Sequence, residues 1–178
     1  MIKITKTIHL KRVLASNSKD VYKLMTVIYP PAYSYLWKDR GAWYVAKQYS
    51  KENVLKELLQ DKSHYYFVLF NTETIGIIRI IWDEKLQGLS IEKQVKLHRI
   101  YLHPKTQNMG LGSQLLNWLE QLATQKKYNV IWLDAMNAQE QAFQFYEKKG
   151  FLYHSHCYLE FENMYKNFRK MSQLYKLL

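Results

Sequence analysis

The chain has 178 residues, with 26 Lys and Arg against 15 Asp and Glu, and 48% of it is hydrophobic. That composition excludes intrinsic disorder, and the length suits one domain, residues 1–178, with a substantial core. A single cysteine, Cys157, excludes an internal disulfide, and the opening MIKITKTIHLKR breaks its apolar residues with charge, so neither a signal peptide nor a span is expected and the predicted setting is cytoplasmic, with no membrane partner.

In chain order, KTIHLKRVL (Lys6 to Leu14) alternates enough for a half-buried strand. Ser18-Lys19-Asp20 then offers a helix start, followed by Val21, Leu24, Met25 and Ile28 at helical spacing, and Pro30-Pro31 is expected to stop that helix. YPPAYSYLWKDRGAWY is rich in aromatic residues but has no clear period. A second helix is expected from about Ser50, with Val54, Leu55, Leu58 and Leu59 on one face. HYYFVLF and IGIIRIIW read as a hairpin across Asn71-Thr72-Glu73-Thr74, and residues 84 to 93 as a loop. QVKLHRIYLH makes a long strand that ends at Pro104, which has no N–H for further pairing.

Beyond it, Leu111, Leu115, Leu116, Leu119 and Leu122 trace an amphipathic helix, and NVIWLDAM a short strand covered on both faces. A helix over Gln139 to Lys149 ends at Gly150. FLYHSHCYLEF is a strand; the closing NFRKMSQLYKLL fits a strand or a helix. The fold class is therefore α/β (α+β), with one central mixed sheet of about seven strands and four helices.

The net charge of +11 attracts polyanions: nucleic acid, an anionic surface or a phosphate-bearing cofactor. The basic residues are scattered rather than clustered on one run, which argues against nucleic acid. The sharper signal is HPKTQNMGLGSQLL, where Gly110 and Gly112 stand a residue apart between a strand and a helix. Unpaired N–H groups at a helix start carry the positive end of its dipole, and bare glycine backbone admits a pyrophosphate. The same glycines would also suit a turn that only needs close packing. The third glycine of a dinucleotide fingerprint is missing, as is a G-x-x-x-x-G-K-[ST] phosphate loop.

Gln107-x-x-Gly110-x-Gly112 after Ile100-Tyr101-Leu102-His103-Pro104, followed by WLDAMNAQEQAFQFYEKKGF, resembles the GNAT superfamily of N-acetyltransferases. The two motifs span about residues 95 to 152, and the upstream element order matches as well. The resemblance implies acetyl-CoA as acyl donor, lying between splayed parallel strands at 95–103 and 130–136. It places the pantetheine arm beside Ile100, Tyr101 and Leu102, and the pyrophosphate on backbone N–H groups of Gln107, Asn108, Met109, Gly110, Leu111, Gly112 and Ser113. Tyr146 would protonate the departing thiolate, with mere packing between helix and sheet beside Phe143 and Phe145 as the alternative role. Gln139, or else Asn137, would bond the cofactor arm; Asn137 would also serve as a helix cap.

The base is less well marked, because the strand from 94 to 103 holds no carboxylate. His98 has a suitable intrinsic pKa and is the candidate side chain, beside a water chain or Glu92. The acceptor wall is expected in Tyr29 to Tyr44, where Tyr33, Tyr35 and Trp37 with Trp43 and Tyr44 would hold an amine by cation–π contact or form an aromatic lid. The expected reaction is acetyl transfer to a primary amine of a small molecule, such as a polyamine or amino acid. The strong positive charge disfavours a polycationic acceptor unless Asp39, Glu73, Asp83 or Glu84 lines the pocket. O-acetyl or longer-acyl transfer, and a non-catalytic acyl-CoA sensor, are the rivals. His154, His156 and Cys157 do not complete a metal ligand set, so no metal is expected, and the resemblance allows a homodimer.

Overall fold

The computed structural model describes all 178 residues. Its core element is one sheet in which β1 (Ile2–Lys3), β2 (Ile8–Arg12), β3 (Ser63–Phe70), β4 (Glu73–Trp82), β5 (Gln94–Leu102), β6 (Val130–Met136), β7 (Leu152–Tyr158) and β8 (Lys170–Leu177) lie in the order β1-β2-β3-β4-β5-β6-β8-β7. Five helices flank it: α1 (Ser18–Tyr33), α2 (Ala42–Gln48), α3 (Lys51–Leu59), α4 (Leu111–Gln125) and α5 (Glu140–Lys148). All neighbours are antiparallel except β5 and β6. The closing segment is a strand, β8, paired along its length with β6.

The count exceeds the expected seven strands and four helices by β1 and α2. β1 is a two-residue edge pair with β2, too short to carry a period. α2 is started by Asp39, whose carboxylate accepts from the N–H groups of Gly41 (3.1 Å) and Trp43 (2.7 Å). The prolines do not stop α1; both lie inside its last turn. The donors they lack would have met the carbonyls of Thr26 and Val27, whose residues are exposed to water, and only two helical residues follow.

Two apolar clusters lie on opposite faces of the sheet. One joins α4, through Leu111, Leu115, Leu116 and Leu119, to Ile78, Ile80, Val95, Leu97, Ile131 and Leu133. The other joins α1, α2 and α3 to Tyr65, Phe67 and Ile77. The 15 residues of α4 bury one leucine face, as its spacing predicts. At Gly76 on β4, a Cβ would lie 2.2 Å from the carbonyl oxygen of Tyr101, so glycine is required for β4 and β5 to pair there.

Candidate active site

The site begins as a failure of pairing. β5 and β6 are bonded only over Gln94↔Val130, Val95↔Ile131 and Lys96↔Trp132. Past those positions, β5 pairs onward with β4 alone and β6 with β8 alone, so the two parallel strands diverge and leave one edge of β5 free. The register of β4 and β5 also slips, from Arg79↔Arg99 to Ile80↔Leu97, so that His98 bulges from β5 at the opening. A cavity of about 270 Å³ fills the wedge. It is lined by Ile100 and Tyr101 from β5, Leu133 to Met136 from β6, and Gln139, Ala142 and Tyr146 around α5, together with Tyr29, Tyr33, Trp37, Tyr44, Phe161 and Met164.

At the outer end of the wedge, the turn into α4 forms a row of free donors. None of the six backbone N–H groups from Asn108 to Ser113 has an acceptor within the protein. Gln107 does not belong to this row, because its N–H is spent on the carbonyl of Pro104 at 3.0 Å. Gly110 takes φ +72° directly before the helix, and no atom lies within 4 Å of where its Cβ would be. That space is open toward the donors, as a pyrophosphate requires. Leu111 is core and offers only its amide, while Met109 is exposed. Asn108, Gln141, Gln144 and Lys148 edge a second groove beside the turn.

Tyr146 reaches the cavity from α5, packed edge-on against Phe145 and Phe151 at ring separations of 5.2 and 5.5 Å. Its hydroxyl has no hydrogen-bond partner in the protein, and burial alone pushes its pKa up to about 12. Gln139 also lines the wedge, but its amide nitrogen donates to the carbonyl of Ala32 at 2.7 Å, which leaves its side-chain oxygen free. Asn137 lies outside the lining and accepts from the Ser172 hydroxyl at 2.9 Å. Leu102 lies at the far end of β5, beyond the cavity lining.

His98 does not suit the role of base. The Arg79 guanidinium donates to its Nδ1 at 2.8 Å, and burial, together with Arg99, Arg79 and Lys96, pulls its pKa down to about 2. A ring with that pKa cannot take the ammonium proton near neutrality. Glu92 is on the surface, paired with Lys85.

A buried ionic cluster, not anticipated from the sequence, lies directly behind the bulge. Arg79 and Arg99 face each other across β4 and β5, and Glu57 of α3 bridges them, at 3.4 and 2.6 Å. Gln48, Gln60 and Ser63 accept further bonds from the two guanidinium groups. The signal was present: an arginine in the middle of each of two apolar strands, and Glu57 on the same helix face as Val54.

The expected acceptor residues divide. Tyr33 and Trp37 line the cavity, Trp37 being 2% exposed with its indole N–H donating to the Tyr29 hydroxyl at 2.9 Å. Tyr35 is 44% exposed and stands outside, its hydroxyl donating to the carbonyl of Ala138. Phe161 and Met164, from the segment after β7, complete the wall and were not expected there.

A model of the acetyltransferase (GNAT) family matches residues 20–151. An "Uncharacterized N-acetyltransferase in pepI 3'region" from Lactobacillus delbrueckii subsp. lactis is 26% identical over 109 residues, 61% of this chain and 63% of the relative's own length. Among solved structures, the PaiA N-acetyltransferase of Thermoplasma acidophilum in complex with coenzyme A superposes with a TM-score of 0.70 at 15% identity, covering 97% of this chain and 99% of that one. The spermidine N-acetyltransferase of Vibrio cholerae in complex with CoA and spermine gives 0.68 at 16% identity, covering 97% and 96%. Identities this low show a shared fold. No helix is long and apolar enough to cross a membrane.

Proposed function

Because the chain belongs to the GNAT family of acetyltransferases, we propose that it transfers the acetyl group of acetyl-CoA directly to a primary amine of a small molecule. The observation that carries the proposal is the pairing of a splayed β5–β6 wedge with six unpaired N–H groups at its outer end. Asn108 to Ser113 would hold the pyrophosphate, and the free edge of β5 at Ile100 to Leu102 would hold the pantetheine arm. Bound there, the donor would supply the thioester that the amine attacks.

Transfer forms one C–N bond and breaks one C–S bond; the amine loses a proton and the thiolate gains one. Tyr146 supplies the second proton. A phenol with a pKa of about 12 is a weak acid beside a thiol, whose ordinary pKa is about 8.5. The burial that raises the phenol raises the thiol in the same cavity and narrows that gap. The first proton leaves through water, since His98, with its pKa pulled down to about 2 and its Nδ1 accepting from Arg79, cannot hold it. Alignment of amine and thioester supplies most of the rate, by up to about 7–11 kcal/mol in favourable cases. A cytoplasmic location and a homodimer are compatible with this reading.

The test is amine-dependent release of CoA from acetyl-CoA, with the N-acetyl product identified by mass spectrometry. Acetylated amine is expected. Acetyl-CoA binding without turnover of any amine would favour the sensor, and transfer to alcohols alone would move the activity to oxygen.

A further inference from the structure

Resting on the acetyl-transfer proposal, we infer that the acceptor is a monoamine on an aromatic or otherwise apolar body, and that polyamines are not its substrates. Tyr29, Tyr33, Trp37, Tyr44, Phe161 and Met164 form an aromatic-rich part of the cavity wall. Tyr29 is stacked on both faces, by Tyr33 and by Tyr44, each at 4.7 Å with interplanar angles of 14° and 21°. Trp37 leans on Tyr44 at 5.0 Å and on Phe161 at 5.8 Å. Both π faces of Tyr29, and one each of Tyr33 and Tyr44, are thereby taken up by other rings, which leaves fewer faces for a cation cage and more apolar surface.

The charge inventory agrees. Only two side chains charged at neutral pH line the cavity, and both are committed: Asp134 to Lys96 at 2.7 Å, and Arg99 to Glu57 at 2.6 Å. The carboxylates that would have suited a polycation are elsewhere. Asp39 starts α2, Glu73 pairs with Lys105, and Asp83 pairs with Lys62; these three and Glu84 all lie outside the lining. Glu140, Glu160 and Glu162 are exposed and line no part of it. His98 is neutral, and burial pushes the phenols of Tyr29, Tyr33, Tyr44 and Tyr101 upward, so no phenolate forms there. A second ammonium in this cavity would lose its water and gain no counter-charge. A single amine avoids that cost, because it must be neutral to attack: its nitrogen takes the acetyl group and gives one proton to water, and the sulfur leaves and takes one proton.

The experiment compares kcat/KM with acetyl-CoA for two series: arylalkyl and alkyl monoamines, and spermidine with spermine. Monoamines bearing a ring are expected to exceed spermidine at least a hundredfold, and Phe161→Ala, at a half-buried position, to raise their KM about tenfold without changing the Kd for CoA. Spermidine turned over as well as the aryl monoamines, or no turnover of any aryl monoamine, overturns the inference. Failure of acetyl-CoA to bind, read separately by calorimetry, would instead remove the transfer reading beneath it.

Discussion

Two residues carry opposite burdens at the wedge. Tyr146 has a free hydroxyl in the cavity, whereas His98, the more familiar acid–base side chain, is disabled by its neighbours. Tyr146→Phe is therefore expected to slow transfer by about 10²–10⁴ while CoA affinity stays unchanged, the scale of a lost general acid. Single-turnover rates beside calorimetry will check this; an unchanged rate would leave Tyr146 as packing. His98→Gln keeps an acceptor for Arg79 and should leave the pH–rate profile unchanged, as kcat/KM measured from pH 6 to 9 would reveal. Residue type alone suggested His98, because the sequence did not disclose that Arg79 sits opposite the bulge. Tyr33 and Trp37 were legible from aromatic density, but Tyr35 was not separable from them, since its place outside the cavity depends on where α1 ends.

The elements show why the site opens where it does. Three paired positions join β5 to β6, and the leucine face of α4 then holds the turn against the sheet. A Cβ at Gly112 would lie 3.7 Å from Phe145 Cζ, an ordinary contact, so a side chain there is tolerated by the fold. A carboxylate in a first helical turn even stabilises, by about 0.3–1 kcal/mol. Gly112→Glu is thus expected to keep its melting temperature and lose CoA; at Gly110 the φ of +72° would confound the same test with strain. Strands β2 to β7 and helices α1, α3, α4 and α5 were readable from their apolar patterns, helped at α3 by its Ser50 cap and at α5 by Gly150. α2 was obscured by aromatic residues on every side, although Asp39 ahead of Gly41 was a start signal that could have been weighed. The end segment was settled only by its partner: β8 is a strand because β6 offers it a complete edge.

At the scale of the molecule, the helical and sheet layers meet through a buried cluster with two guanidinium groups and one carboxylate. Removing the bridging charge leaves two arginines opposed across a strand pair, so Glu57→Ala should destabilise by about 3–5 kcal/mol, measured by urea unfolding. His98 belongs to the same cluster and gives it a pH dependence. Its folded pKa of about 2 lies below the ordinary value of 6.5, so the unfolded chain binds its proton first as pH falls. The stability it contributes is complete above that ordinary value and is lost toward acid, at up to about 1.4 kcal/mol per pH unit. Unfolding curves between pH 7 and 4 should therefore fall less steeply for His98→Gln than for the parent chain.

The most direct measurement is a calorimetric titration of coenzyme A into the parent chain and into Gly112→Glu. One site in the parent that disappears in a variant with an unchanged melting temperature would match the six free donors to the pyrophosphate. No binding to the parent chain, or equal affinity in the two proteins, would contradict the account of the wedge as an acetyl-CoA site.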